Sequence, residues 1–177
     1  MPPLRFARVE TSIGPMLAAE TDLGVAAVAR ASSLEAFLEP LRRRFPAFEP
    51  VPGDLDLGWL TDAVEGLDAP LPAVDLRGLS GFDARVYEAV RACPRGETVT
   101  YGEVAVLIGS AGAARAVGGA MARCPLFPAV PCHRVVRASD GWSGWGGDDR
   151  LKQRLLNAES GTFMTAALRG PRGQIGP

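Results

Sequence analysis

Two short segments, YGEVAVLIG (101–109) and AGAARAVGGAMAR (111–123), stand back to back across Gly109-Ser110, and the second is almost bare of side chains. Thr100-Tyr101-Gly102-Glu103 matches a capping box, with Thr100 at N-cap and Glu103 at N3, so a helix is expected to start at Tyr101 and stop at Gly109. Ser110 is expected to cap the next helix. Two short helices joined this tightly outline a helix-turn-helix. In the second, Gly112, Ala113, Ala114, Ala116, Gly118, Gly119 and Ala120 leave Arg115 as the one long polar side chain of the first half. Each interior glycine costs about 1 kcal/mol relative to alanine. Either the helix packs tightly on another helix, or its backbone approaches something outside the chain, such as a narrow groove of nucleic acid. Charge favours the second. Between residues 100 and 137 Arg115, Arg123, Arg134 and Arg137 face only Glu103, whereas residues 1–81 carry 7 Arg against 12 Asp and Glu. A locally basic face on a chain of net charge −1 suits a polyanion partner.

A second feature lies just downstream. PAVPCHRVV (128–136) sets Cys132 against His133, the only histidine. A cysteine attacks as its thiolate, and a neighbouring base or cation is the usual way to obtain one at neutral pH. The plainer alternative is a buried strand whose cysteine is only a small hydrophobe. Adjacent residues face apart in helix and strand, so the two side chains should not touch unless the chain turns there; a water can bridge them. A histidine base also needs a group to orient it. Asp140, Asp148, Asp149 and Glu159 are the candidates, and spacing does not choose among them. Glu159 ends a helical segment, DRLKQRLLNAE, whose apolar face reads Leu151, Leu155, Leu156 and Ala158. The intervening ASDGWSGWGG is a loop that could cover a pocket or offer an aromatic surface to a flat ligand.

The first eighty residues carry no such constellation. Extended runs around 5–10, 15–20 and 25–30, with Asp22-Leu23-Gly24 as a hairpin turn, are followed by a helix capped by Ser32-Ser33 that Pro40 should kink or split. FPAFEPVPGD reads as a proline-rich connector, DLGWLTDAVEGLDAP as a second helix, and AVDL (73–76) as a last strand. Then FDARVYEAVRAC offers an amphipathic helix with Phe82, Val86, Ala89, Val90 and Cys93 on one face. The chain's 177 residues are 47% hydrophobic, enough for an ordinary core. Three cysteines (93, 124, 132) without C-x-x-C spacing argue for a reducing compartment, and with one histidine no zinc site is expected. No apolar run is long enough for a membrane span, and MPPLRFARVETS has no signal-peptide pattern.

The run ARAVGGAMAR…PAVPCHRVV, preceded by TVTYGEVAVLIG and followed by a Gly-aromatic-Gly loop and LKQRLLNAE, resembles the O6-alkylguanine-DNA alkyltransferases. The likeness is close over residues 80–160 and looser at TSIGPMLAAETDLGVAAV. It implies an α/β (α+β) fold: an N-terminal α/β sheet domain (1–79), a mostly helical DNA-binding and alkyl-acceptor domain (80–161) with a winged-helix-like helix-turn-helix, and a flexible tail (162–177). It implies direct repair, in which the alkyl group of O6-alkylguanine, and of O4-alkylthymine, moves irreversibly onto the protein's own cysteine, once per molecule and without cofactor or metal. Cys132 matches the acceptor and His133 its base; Glu159 matches the acid that orients the histidine, and Tyr101 the tyrosine that contacts the flipped nucleotide and assists guanine departure. Arg115 matches the arginine that fills the vacated stack. Thr100, Tyr101, Ala114, Gly118, Gly119, Met121 and Arg123 fall on the DNA-binding surface, and Met121, Pro131, Val135, Trp145 and Gly146 on the substrate pocket. The partner implied is double-stranded DNA bound through its minor groove by a monomer, in a prokaryotic cytoplasm at the nucleoid.

Three positions depart from the family pattern. Trp145 stands where tyrosine is common, Asp148 where glycine is, and Cys124 where an asparagine usually precedes the proline. The last replaces an amide that bonds the turn by a weakly bonding thiol, which puts the stiffness of that joint in question. Three rival readings are a non-enzymatic sensor of alkylguanine, a redox-sensing helix-turn-helix regulator, and a cysteine hydrolase. The presence of Cys132 opposes the first, and the lack of base-reading side chains on 111–123 opposes the second.

Overall fold

The computed structural model describes residues 1–139, 141 and 148–160. Three antiparallel strands open it: β1 (Pro3–Thr11), β2 (Gly14–Thr21) and β3 (Gly24–Ala29). The hairpin register runs from Thr11↔Gly14 to Arg5↔Glu20, with a bulge between Ala19 and Glu20 against β3. Alternation along β2 sorts the sheet's two faces. Leu17 and Ala19 pack with Phe37, Leu38 and Leu41 of α1 (Leu34–Arg44), whereas Met16 and Ala18 face Val86, Val90, Val117 and Cys132. One core therefore joins the sheet to the second half of the chain.

The structure corrects three expectations here. Pro40 neither splits nor ends α1, which Ser33 caps through a bond from Ala36 N (3.1 Å). Pro40 and Ala36 are both exposed, so water can satisfy the carbonyl that proline leaves without a donor. FPAFEPVPGD is more than a connector, because Glu49–Pro52 forms β4, parallel to β1 at the sheet's edge in the order β3-β2-β1-β4. An edge strand tolerates Pro50 and Pro52 because only one side of it needs donors. AVDL contributes a single bridge, Val25↔Val74, held by Val25 N to Ala73 O (2.9 Å) and Asp75 N to Val25 O (2.8 Å).

Helix α2 (Gly58–Glu65) ends at Gly66, and α3 (Gly81–Arg91) starts at the Ser80 cap. Its face includes Tyr87, absent from the sequence reading; the hydroxyl donates to Ala120 O (2.9 Å) on the helix it crosses. The two-residue β5 (Val99–Thr100) leads straight into α4 (Tyr101–Leu107), where the predicted capping box is complete. The next helix, α5, runs Ala114–Ala122 with Ala113 at its N-cap and no side-chain cap. Ser110 does not cap it: Gly112, at φ +87°, intervenes, and the Ser110 amide returns to Ala105 O (2.8 Å). Residues 132–134 form one 3-10 turn, followed by β6 (Val135–Val136), parallel to β5, and α6 (Asp149–Ser160) closes the described chain. Leu151, Lys152 and Leu155 are the buried residues of α6, whereas Ala158 is exposed. The expected tail, 162–177, lies outside the described residues.

Gly24 shows how tightly the 73–75 segment is laid on β3. At φ +129° a Cβ there would stand 2.4 Å from Ala73 O. Gly24→Ala is therefore expected to lower stability by about 2 kcal/mol or more, read as a fall in the urea midpoint.

Candidate active site

The 3-10 turn answers how neighbouring Cys132 and His133 can serve one centre. Arg134 N bonds Pro131 O (3.0 Å) and Cys132 N bonds Val130 O (2.8 Å), which winds the chain where a strand would have pointed the side chains apart. All three side chains of the turn are buried, Cys132 at 3% and His133 at 2% exposure. His133 Nε2 lies 2.7 Å from Glu159 Oε1, and the Phe127 ring meets the imidazole edge-on at 5.9 Å. Of the three acids among the described residues, Asp148, Asp149 and Glu159, Glu159 is the one the fold brings to the histidine. Arg134 completes the cluster, donating from Nε to Glu159 Oε2 (2.8 Å), from Nη2 to Oε1 (3.0 Å) and from Nη1 to Cys93 O (2.8 Å).

These contacts assign the protons. Burial disfavours the charged carboxylate, but bonds from His133 and Arg134 and their charge outweigh it and hold Glu159 at about 2. An ionised carboxylate only accepts, so Nε2 carries the imidazole's hydrogen and Nδ1 is left as a bare acceptor. Nδ1 is buried and has no hydrogen-bond partner among the described groups. Burial lowers the His133 pKa more than Glu159 raises it, so the ring is neutral near pH 7. The Cys132 thiol is pushed well up, first by its Cys124 thiol neighbour and then by burial. The resting site therefore holds a protonated thiol next to a neutral imidazole with a free lone pair, an arrangement that can move a proton through one water.

Lys152 is the buried charged residue near the centre that sequence reasoning passed over. It is fully buried on α6 and donates from Nζ to Val135 O (2.7 Å), three residues from Cys132. A signal existed: it is the single lysine in a chain with 18 arginines. A compact ammonium fits where a planar guanidinium cannot.

The remaining predicted residues are placed as follows. The β5–β6 pairing, Val99↔Val135 and Thr100↔Val136, brings Tyr101, at the head of α4, alongside the strand that follows the turn. Met121, Pro131 and Val135 are buried around the centre. Arg115 is exposed. Arg123 is engaged within the chain, bonding both Asp83 oxygens (2.9 and 2.6 Å). Ala114, Gly118 and Gly119 lie along α5, and a Cβ on Gly118 would meet only the Tyr101 ring, at an ordinary 3.9 Å. On Gly119 it would stand 3.0 Å from Nη1 of the Arg123 guanidinium that Asp83 holds, a tight approach. Internal packing thus does not require α5 to be bare at Gly118. Trp145 and Gly146 lie outside the described residues, as does Asp140. Asp148 pairs with Arg30 (2.7 Å). A cavity of about 220 Å³ reaches His133 and Glu159 from the side of residues 67–71; of the predicted pocket residues only Pro131 lines it.

Known proteins fit this geometry. A methylated-DNA–protein-cysteine methyltransferase of Mycobacterium bovis is 35% identical over 164 residues, covering 88% of this chain and 92% of its own. This chain belongs to that family. Residues 81–161 match the family described as 6-O-methylguanine DNA methyltransferase, DNA binding domain. Another such methyltransferase, from Mycolicibacterium paratuberculosis, is 51% identical over 86 residues, 49% of this chain and 52% of its own. The bifunctional transcriptional activator/DNA repair enzyme Ada of Escherichia coli is 33% identical across 89% of this chain, which spans 46% of Ada. Among solved structures, Mycobacterium tuberculosis OGT in complex with DNA superposes with a TM-score of 0.68 at 34% identity, covering 90% of this chain and 95% of that one. The mixed α/β fold is thus that of the Mycobacterium tuberculosis OGT.

Because Glu159 falls from an ordinary 4.5 to about 2 on folding, its ionisation stabilises the native state above pH 4.5, and that contribution is lost as pH drops toward 2. It is worth about 3 kcal/mol. His133 acts in the same direction, since the unfolded chain takes up its proton first as pH falls below about 6.5. Glu159→Gln should flatten the acid limb of a urea-unfolding series between pH 4.5 and 2; an unchanged limb would refute the assignment.

Proposed function

We propose that this chain repairs alkylated DNA directly, moving the alkyl group of O6-alkylguanine, and of O4-alkylthymine, onto the thiol of Cys132 in one irreversible turnover. The observation that carries the reading is the buried, partnerless Nδ1 of His133 beside a buried, protonated thiol. The Cys132 proton passes through a water to Nδ1, and the imidazolium that forms is held by Glu159, which Arg134 keeps ionised. The thiolate attacks the alkyl carbon, the carbon–O6 bond breaks, and the guanine leaves with its new charge met by a proton from the Tyr101 hydroxyl. Backbone groups at Cys132 and Val135 read the edge of the base, with the Val135 carbonyl held by Lys152. The product is a thioether, a poor leaving group, so the protein acts once. No step calls for a cofactor.

The segment 80–161 recognises the DNA and the segment 1–79 braces it. Helix α5 enters the minor groove, with Ala114, Gly118 and Gly119 allowing backbone to approach and Thr100, Met121 and Arg123 flanking it. Arg115, exposed and at the head of the helix, fills the stack as the damaged nucleotide turns out. The base then lies among Met121, Pro131 and Val135, with Trp145 and Gly146 as the remaining wall. The protein works as a monomer on nucleoid DNA in the cytoplasm, a reading supported by its odd cysteine count.

Excess duplex DNA carrying one O6-methylguanine should add one methyl, and never more, to the peptide containing Cys132, with none in Cys132→Ser. Tight lesion-selective binding without any mass gain would overturn transfer and leave a sensor. Gly118→Ala separates groove from core: it should raise stability by about 1 kcal/mol in urea unfolding while weakening binding to the same DNA. Unchanged binding would remove Gly118 from the interface.

A further inference from the structure

The last turn of α5 does not close on itself. A continuing helix would send the Cys124 amide to Ala120 O, but that amide turns to Met121 O (3.3 Å), while the Arg123 amide takes Gly119 O (3.3 Å). Ala120 is fully buried, so water does not supply the donor that its carbonyl lacks. The Tyr87 hydroxyl supplies it instead, at 2.9 Å, from a side chain of α3 that is itself 1% exposed. One turn earlier on α3, Asp83 holds the Arg123 guanidinium at the same end of α5 (2.9 and 2.6 Å). Residues four apart share one face of a helix, so α3 presents a ledge of two side chains to the C-terminal end of α5. The N-terminal end has no side-chain cap.

The inward face of α5 is Val117, Ala120 and Met121. Apolar contact is non-directional: it keeps the helix down but lets it roll or slide, and methionine adapts most readily to such movement. A hydrogen bond fixes both a distance and a direction. Of the two contacts on the ledge, the Arg123 side chain is more than half exposed and water can stand in for its partner, whereas the Tyr87–Ala120 bond is buried. We propose that Tyr87 is a positioning residue for DNA recognition, its hydroxyl fixing the rotation and axial placement of α5 and with them the outer face that carries Arg115 and Gly118. Tyr87 touches neither the DNA nor the reacting atoms; it acts through the Ala120 carbonyl. The consequence for DNA rests on the function proposed above, and the seating of α5 does not.

Tyr87→Phe keeps the ring in the core and removes only the donor. Two measurements on the full chain test its role. Without DNA, hydrogen exchange of the amides of residues 117–124 should quicken about tenfold in the variant, with those of β1–β3 unchanged; unchanged exchange in α5 would overturn the proposal. With duplex DNA carrying one O6-methylguanine, the variant should bind about tenfold more weakly, while the transfer rate at saturating DNA and the final fraction of methylated protein stay within about twofold. A residue that only supports the fold would lower the competent fraction and leave the affinity of the remainder alone. That pattern, or slower transfer at saturation with unchanged affinity, also overturns the proposal. A natural chain that binds the lesion duplex but never accepts a methyl group sinks the alkyl-transfer reading alone, because exchange and affinity still decide the role of Tyr87.

Discussion

The centre of the molecule depends on one buried carboxylate. Glu159 stands at the end of α6, yet its two oxygens collect His133 and Arg134 from the 3-10 turn, and Arg134 reaches on to the Cys93 carbonyl, just past the end of α3. Burying a charge costs several kcal/mol unless partners and hydrogen bonds replace the lost water, and removing one partner leaves the other stranded. Here the guanidinium supplies a permanent counter-charge, so the imidazole does not have to. Histidine is thereby free to rest neutral and still be pulled toward protonation. The helix end that carries the acid is itself held: Arg95 bonds the Glu159, Ala158 and Gly66 carbonyls, placing a cation at the negative end of α6.

Much of this was legible because local chemistry and tertiary demand agreed. The capping box at Thr100 and Glu103 formed as read, and so did the Asp22–Gly24 turn and the Ser33 cap. What failed depended on context. Prolines read as breakers did not break β4, since an edge strand is not asked for those donors. Ser110 had cap chemistry, but Gly112 in the left-handed region moved the helix start past it. Tyr87 and Lys152 look like surface residues by type, and only a distant carbonyl, Ala120 for one and Val135 for the other, explains their burial. The choice of Glu159 among four acids required the path of α6.

The bare helix is the clearest case of a sequence written for something outside the chain. Val117, Ala120 and Met121 give α5 its inward face, and these three suffice to seat it on α3 and α4. Its glycine at 118 faces space that an alanine could occupy. That interior glycine lowers helix stability by about 1 kcal/mol, a cost that internal packing does not return. A requirement for close external approach accounts for it, and the exposed Arg115 on the same helix gives that approach its charge. The Arg123–Asp83 pair braces the other end, because an arginine bonded by both its nitrogens to one carboxylate fixes the exit of α5 against α3.

That exit is where the thiol at 124 replaces an amide common in relatives, and the main chain shows why the joint keeps its shape. Val28 N bonds Pro125 O at 2.7 Å, tying the loop to β3; Cys124 N bonds Met121 O and Val130 N bonds Leu126 O. Three backbone bonds to three different segments do the positioning that an asparagine side chain could otherwise share. Burial and the neighbouring thiol both keep Cys132 protonated, so its nucleophilicity depends on the imidazole beside it in the turn.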